Sequence, residues 1–229
     1  MFCLTKRFEH YIGKLFLLLS LNMNFLAHAY LSFNDPLILA GNMASDYIKG
    51  RTQYDYEIGI QRGIQLHRSI DAFTDAHPCT KAINQLFHPH YRLYSGAITD
   101  IVYDYFLAND AHVFASAAAL QVFSMRTYAL LQPNIHKLPV PFQHFFPFMQ
   151  SQDWLYHYRT KEGIQKSLQG LVRRAKYLSE ADTAYGLFNE NIAIIKPIYQ
   201  TYFPLLKKYS EECLQILLAA DCTTFEIKK

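Results

Sequence analysis

The stretch of sequence that decides the fold spans residues 54–78 and reads YDYEIGIQRGIQLHRSIDAFTDAHP. Apolar residues such as Ile60 and Ile64 recur in it at three- and four-residue spacing, which is the period of an amphipathic helix. Because the residue before a proline disfavours helical backbone, we expect the helix to cover about residues 54–74 and to end before Pro78.

The same helical period continues along most of the chain. Alternating apolar and polar runs are missing, and so are the Asn-Gly or Asp-Gly pairs that are typical of β-hairpins. Further helices are predicted over about residues 36–50, 79–88, 98–107, 111–131, 154–178, 181–198 and 205–220. A loop over residues 137–141 is the best candidate for a subdomain seam. We therefore predict an all-α, single-domain helical bundle.

Composition narrows the class of protein. The chain has 229 residues, of which 51% are hydrophobic and 18% charged, and its formal net charge is +3. The high hydrophobic fraction and low charged fraction exclude an intrinsically disordered chain, and the small net charge argues against a nucleic-acid binder. No apolar stretch reaches the roughly 20 residues of a membrane span, so a soluble, cytoplasmic protein is expected. Reduced thiols are predicted, because no C-x-x-C pair occurs among Cys3, Cys79, Cys213 and Cys222.

The first 22 residues form a separate segment. Basic residues precede a short apolar run at residues 15–21, which resembles a signal peptide. A second methionine, Met23, follows directly and offers an alternative start. We interpret residues 1–22 as an appendage and residues 23–229 as the helical domain, with a cleaved signal peptide as the alternative.

Two predicted helices carry acidic and imidazole side chains among apolar neighbours. His67, Asp71 and Asp75 follow one another at four-residue intervals, so they lie on one helical face. Asp100 and Asp104 repeat this spacing in a strongly apolar segment. Charged groups buried without a partner are costly, and a divalent cation between them would offset that cost. The alternative is that some of these side chains cap helices or face solvent.

Further polar residues stand in two other apolar segments, where His28 follows Asn24-Phe25-Leu26-Ala27 and Asp46 follows Gly41-Asn42. Either residue alone is readily explained as structural, so the argument for a site depends on the imidazoles and carboxylates taken together. Imidazoles and carboxylates from several helices suit Mn²⁺, Fe²⁺, Zn²⁺ or Mg²⁺ and argue against a thiolate zinc site. Such a set is similar to that of helical metal-dependent phosphohydrolases.

Several short motifs also occur in an order and spacing that are specific when taken together. They are Asn24-Phe25-Leu26-Ala27-His28, Gly41-Asn42-x-x-x-Asp46, His67-Arg68-x-Ile70-Asp71-x-x-Thr74-Asp75-x-His77, Asp100-x-x-x-Asp104-x-Phe106-Leu107 and Trp154-Leu155-x-x-Tyr158-Arg159. From Met23 to about Leu206 the chain resembles the acyl carrier protein phosphodiesterase family, which is similar to HD-type helical phosphohydrolases. The resemblance implies hydrolysis of the phosphodiester between 4′-phosphopantetheine and a serine of acyl carrier protein. It also implies a divalent cation, typically Mn²⁺.

The resemblance further implies roles for individual residues. Five of them would lie at or near the metal centre: His28, Asp46, His67, Asp71 and Asp104. Asp46 would be a ligand or would orient the attacking water. Three others would hold the ligands in orientation: Asp75, His77 and Asp100. Arg68 would meet a phosphate oxygen, and His77 or His67 would protonate the leaving oxygen.

One position departs from the family's pattern. Tyr105 stands where the family often has a histidine after the aspartate. If that histidine is a ligand, the metal affinity or identity changes here; if it only packs, tyrosine is a mild replacement. We favour packing.

Basic residues near the predicted site suit an acidic carrier protein as partner. They are Lys49, Arg51 and Arg62, with a second cluster at Arg173, Arg174 and Lys176. An ordinary solvated face is the alternative for these charges. Two rival functions also stay open, namely a phosphohydrolase acting on a small nucleotide or phosphoester, and a non-catalytic helical binding module. The oligomeric state is not predicted.

Overall fold

The computed structural model describes residues 25–219, which form ten α-helices joined by turns and short 3₁₀ segments. The helices are α1 (Phe25–Tyr30), α2 (Pro36–Ala44), α3 (Ile58–Ala76), α4 (Pro78–Tyr91), α5 (Ser95–Ala108), α6 (Ala117–Leu131), α7 (Val140–Ser151), α8 (Trp154–His157), α9 (Lys161–Arg174) and α10 (Asp182–Ala219). No β-strand occurs between residues 25 and 219, and the predicted all-α class is confirmed. The expectations for residues 1–22 and for Met23 concern a part of the chain outside the described residues.

Helix α2 begins as its sequence predicts. The Asp35 side chain accepts hydrogen bonds from the N–H groups of Leu37 and Ile38, and Pro36 occupies the first turn. The helix ends earlier than expected, because a 3₁₀ turn over Ser45–Tyr47 replaces its last part. Asp46 therefore lies in this turn rather than in a regular helix.

The long C-terminal helix α10 was predicted as two helices, and this was wrong. It runs unbroken through Pro197 and Pro204. A proline removes one backbone donor and leaves the carbonyl four residues earlier without its partner. Those carbonyls belong to Ala193 and Gln200, which are exposed and can bond to water instead.

Other boundaries also differ from prediction. The predicted helix over 154–178 is divided into α8 and α9, because the Thr160 side chain caps a new helix start by accepting from the N–H of Gly163. Ser116 caps α6 in the same way, so that helix starts six residues later than expected. Helix α7 was not predicted at all.

Helices α2 and α3 approach each other unusually closely, and this contact sets the frame of the candidate site. A Cβ atom placed on Gly63 would lie 2.2 Å from the Ile38 carbonyl oxygen and 2.9 Å from the Gly41 Cα. A Cβ on Gly41 would lie 2.0 Å from the Ile60 carbonyl oxygen. The two backbones thus touch directly, which only glycine permits here.

The remaining helices enclose a continuous core rich in phenylalanine and tyrosine, including Phe87, Phe188 and Tyr202. None of the helices between residues 25 and 219 has the length and apolarity needed to cross a membrane. Cys79 and Cys213 are free thiols, while Cys3 and Cys222 lie outside the described residues.

Candidate metal centre

Helices α1 and α3 bring together two histidines and an aspartate in a buried group. The Asp71 carboxylate lies between the two imidazoles, with Oδ1 3.3 Å from His28 Nε2 and Oδ2 3.1 Å from His67 Nε2. The two imidazole rings stack with centroids 4.0 Å apart. The His28 and His67 residues are 2% and 4% exposed, whereas the Asp71 side chain is 24% exposed, so the imidazoles are buried and the carboxylate is open to water.

Asn42 of helix α2 fixes the orientation of His28. Its Nδ2 donates to the His28 backbone carbonyl and to Ser32 Oγ, which leaves Oδ1 as the acceptor that lies 2.7 Å from His28 Nδ1. His28 Nδ1 therefore carries the proton, and the Nε2 lone pair is turned toward Asp71. Such a partner behind a histidine is the usual support of a metal ligand.

Our sequence interpretation did not include Asn42 among the site residues. Its signal was present in the sequence, because Asn42 is the one polar side chain in the apolar segment of helix α2, Pro36–Ala44. Asn42 is also completely buried, and a buried amide requires partners.

Burial and mutual charges shift the pKa values of this group strongly. Burial lowers the pKa of His28, and the charge of His67 lowers it further. Burial would also lower the pKa of His67, but the carboxylates of Asp46 and Asp71 outweigh it and raise that pKa to about 10. For Asp71, burial is outweighed by the two imidazoles, which hold its pKa well below the usual value. The group therefore attracts positive charge.

These residues fit a divalent cation. Candidate donor atoms of His28, His67 and Asp71 all lie within 4.8 Å of one another. His67 Nδ1 is buried with no hydrogen-bond partner among residues 25–219, and the Nε2 atoms of His28 and His67 face carboxylate oxygens 3.1 to 3.4 Å away. Unpartnered buried nitrogens are costly, and coordination to a cation would satisfy them. Two imidazoles and a carboxylate match the ligands of Mn²⁺, Fe²⁺ and Zn²⁺.

Three further aspartates surround this group. Asp46 lies in the turn after α2, with Oδ1 3.4 Å from His67 Nε2. Asp100 of α5 is buried, and its pKa is raised by that burial and by the charges of Asp71, Asp75 and Asp46. Asp75 is exposed, and partial burial together with Asp71 raises its pKa. Asp46, Asp75 and Asp100 thus lie within electrostatic reach of the group.

Asp104 occupies a different position from the one predicted. Its two carboxylate oxygens accept hydrogen bonds from the N–H groups of Leu26 and Ala27, at 3.0 and 2.9 Å. These are orphan donors in the first turn of helix α1. Burial raises the pKa of Asp104, and the two N–H groups counteract it. We therefore interpret Asp104 as holding α1, and with it His28, instead of binding the ion.

Replacing Asp104 by asparagine is expected to destabilise the protein by about 1–3 kcal/mol, because the new amide nitrogen would face a backbone donor and leave it unsatisfied. A fall in the thermal unfolding midpoint would report this loss. Asp55→Asn is the matched control, since Asp55 is exposed. Equal midpoints for the two variants would contradict the role given to Asp104.

Arg68 and His77 each make local hydrogen bonds to residues outside the buried group. Arg68 is exposed and donates from Nη1 to Gln53 Oε1 and from Nη2 to the Ile48 carbonyl, so it ties down the segment between α2 and α3. His77 caps helix α4, where Nδ1 accepts from the Cys79 N–H. His77 also follows His67 by ten residues, about 15 Å along a helix axis. The roles predicted for the two residues from their motif stay predictions.

Tyr105 packs against aromatic rings. Its ring meets that of Phe188 edge-on with centroids 5.0 Å apart, and it also contacts Phe106. This position agrees with the packing interpretation.

The basic residues predicted for docking differ in how far they are buried. Four of them are exposed, while Arg62 and Arg174 are partly buried. The exposed ones are Lys49, Arg51, Arg173 and Lys176.

The fold and this buried group define an all-α protein with an imidazole–carboxylate centre suited to a divalent cation. The chain belongs to the acyl carrier protein phosphodiesterase family, whose profile matches residues 23–206. The match includes every residue of the buried group. The predicted likeness to HD-type phosphohydrolases stays a prediction, and no solved structure matches this chain significantly.

Curated relatives carry the same family name. The chain is 32% identical to the acyl carrier protein phosphodiesterase of Pectobacterium atrosepticum over 189 residues, which are 82% of this chain and 98% of that protein. It is 28% identical to the protein of that name from Photorhabdus laumondii, over 82% of this chain and 96% of the relative. A third such relative, from Escherichia coli O45:K1, is 26% identical over 84% of this chain and 100% of its own length.

Proposed function

We propose that this protein is a metal-dependent phosphodiesterase that hydrolyses the 4′-phosphopantetheine–serine linkage of holo acyl carrier protein and gives the apo carrier. The observation that carries the proposal is the group of His28, His67 and Asp71, whose donor atoms all lie within 4.8 Å of one another. Membership of the acyl carrier protein phosphodiesterase family supports the substrate. Mn²⁺ is the ion we propose, and Mg²⁺, Fe²⁺ and Zn²⁺ are the alternatives.

His28, His67 and Asp71 would hold the cation. A divalent cation held there supplies Lewis acidity, which withdraws electron density from a phosphoryl oxygen and makes a nearby water more acidic. Asn42 keeps the proton of His28 on Nδ1, so Nε2 stays free to coordinate. Asp104 holds the start of helix α1 in place and thereby keeps His28 opposite His67.

Asp46 is the residue we propose for the proton transfer. Its side chain is 21% exposed, so water reaches it, and Oδ1 lies 3.4 Å from His67 Nε2. Asp46 takes a proton from the water that attacks phosphorus. The bond between phosphorus and the serine oxygen breaks, and the proton is returned through solvent to that oxygen. The products are the serine hydroxyl of the apo carrier and the phosphate monoester of pantetheine.

The carrier is also the proposed protein partner. Lys49 and Arg51 are exposed on the segment that begins three residues after Asp46, so an acidic carrier bound there would bring its serine close to the site. Arg62 and the exposed Arg173 are further docking candidates. We propose the cytoplasm as location, because free Cys79 and Cys213 suit a reducing compartment.

Incubation of the protein with holo carrier and Mn²⁺ tests the proposal. Mass spectrometry of the carrier should show loss of the phosphopantetheine group, and excess EDTA should stop the reaction until Mn²⁺ is restored. Asp46→Ala should abolish turnover while the helical circular dichroism stays unchanged, because Asp46 takes the proton but does not hold the fold. Asp55→Ala, at an exposed carboxylate, is the control and should retain full turnover.

Three outcomes would contradict parts of this proposal. Near-normal turnover by Asp46→Ala would remove Asp46 from the mechanism. Hydrolysis of small phosphodiesters without any attack on holo carrier would replace the substrate by a small phosphoester. A purified protein that binds no cation and turns over neither substrate would be a binding module.

A further inference from the structure

Arg174, at the last position of helix α9, has a guanidinium with an unused edge. Its Nε and Nη2 atoms are both buried and have no hydrogen-bond partner within the described part of the chain. The group folds back over its own helix, since a Cβ placed on Gly170 would lie 3.8 Å from Nη1 and 3.9 Å from Nη2, with Arg173 Nη2 beside them at 3.7 Å. No carboxylate of residues 25–219 lies within ion-pair distance of it. This burial lowers the pKa of Arg174.

The surroundings of Arg174 are phenolic and connect it to the site. Tyr47 and Tyr158 lie within electrostatic reach of its charge. Tyr47 directly follows Asp46. Burial raises the pKa of Tyr47, the charge of Arg174 partly opposes this rise, and the charge of Asp46 adds to it. One phenol therefore lies within reach of both the guanidinium and the Asp46 carboxylate.

A buried cation without a counter-charge is unfavourable for stability, so it calls for an explanation in terms of a ligand. Nε and Nη2 form one side of the planar guanidinium, with two parallel N–H groups. That side fits two oxygens of a phosphate or carboxylate at once. Arg173, the neighbour with the same charge, is exposed, so docking to an acidic surface applies to Arg173 but not to the buried edge of Arg174.

We propose that the Nε–Nη2 edge of Arg174 is a phosphate-binding site that receives two non-bridging oxygens of the phosphopantetheine phosphate. This inference rests on the proposed function for the identity of the phosphate, while the anion site itself rests on Arg174 alone. It replaces both the docking role predicted for Arg174 and the phosphate contact predicted for Arg68. Bound phosphate neutralises the buried charge and satisfies both N–H groups.

Inorganic phosphate is the probe, and the first measurement needs no variant. In ¹⁵N NMR spectra of the manganese-free protein, the Arg174 Nε–H signal should move as phosphate is added and should saturate. The Nε–H signal is assigned to Arg174 because it is absent from the spectrum of Arg174→Lys. A signal that does not respond to phosphate would overturn the proposal, as would a shift that never saturates.

Variants then separate this role from simple charge effects. Arg174→Gln should weaken phosphate binding, and inhibition of the enzyme by phosphate, by about 10- to 100-fold, because two charge-assisted hydrogen bonds are lost. Arg174→Lys keeps the charge but lacks the planar edge, so it should lose about tenfold. Lys166→Gln is the matched control, because Lys166 is an exposed cation two turns earlier on the same helix, and it should stay within about twofold. Equal effects at positions 166 and 174 would overturn the assignment.

The thermal unfolding midpoint distinguishes a binding residue from a structural one. Since no carboxylate between residues 25 and 219 pairs with the Arg174 charge, Arg174→Gln should unfold at or above the wild-type temperature. A clearly lower midpoint would indicate a structural arginine and overturn the proposal. If the wild type does not attack holo carrier but phosphate still binds at Arg174, the proposed function fails and the anion site stands. If the wild type does hydrolyse holo carrier but Arg174→Gln binds phosphate as tightly as the wild type, the proposed function stands and the anion site at Arg174 fails.

Discussion

Replacing Asp71 by asparagine is expected to lower kcat/KM for holo carrier by at least about a thousandfold, or about 4 kcal/mol of transition-state stabilisation. The carboxylate lies between His28 and His67, at 3.3 and 3.1 Å, and is the negative group that both imidazoles share. In asparagine one oxygen becomes an NH₂ group, which would donate to an imidazole nitrogen and block it as a ligand. Metal analysis of the purified variant should show the cation lost together with activity.

Asp75→Asn is the matched control, because Asp75 lies one turn further along the same helix and is exposed. It should retain its cation and lose no more than about 100-fold in activity, which is the range seen for groups behind the ligands. An Asp71→Asn variant with full metal content would show that the cation, if any, binds elsewhere.

The same variant has a readout that does not depend on activity. In the metal-free wild type, His67 should stay protonated through neutral pH, because Asp46 and Asp71 raise its pKa to about 10. Removing the Asp71 charge takes away stabilisation of the imidazolium, so the His67 pKa must fall. Histidine NMR titration measures this directly. An unchanged His67 titration would contradict the charge coupling within the group.

The sequence predicted the class of the fold and the clustering of imidazole and carboxylate side chains for clear physical reasons. Four-residue spacing on one helix places His67 and Asp71 together in any helical fold, and a buried imidazole–carboxylate pair requires compensation. Membership of the site could be extended to His28 and Asp46 because their motifs occur in the order typical of the family. These residues do converge, although α1 and α3 are 27 residues apart at their nearest ends.

What the sequence could not predict depends on where a side chain finds its partners. Asp104 has the same four-residue spacing from Asp100 as Asp71 has from His67, yet it binds backbone N–H groups of α1. Arg68 and Arg174 were both basic residues near a motif, and only their contacts separate a guanidinium with two partners from one with an unused edge. The prediction that a helix ends near its prolines failed for a similar reason. Solvent exposure decides whether the backbone carbonyls that lose their partner can bond to water.

Replacing Gly63 by alanine is expected to destabilise the protein by about 3 kcal/mol or more, at or beyond the upper end for an overpacked contact. The new Cβ would lie 2.2 Å from the Ile38 carbonyl oxygen and 2.9 Å from the Asn42 nitrogen, and both atoms are backbone. No side-chain rotation relieves this clash, so helix α2 must move away from α3.

Denaturant unfolding measures the loss of stability. Gly186→Ala is the control, since no described residue has an atom within 4 Å of its Cβ and alanine favours helix by about 1 kcal/mol. Because α2 also carries Asn42, the displacement should release His28 from its partner and weaken metal binding, so Gly63→Ala should lose cation affinity even where it is still folded. A Gly63→Ala protein as stable as wild type would mean that the two helices are not in direct backbone contact.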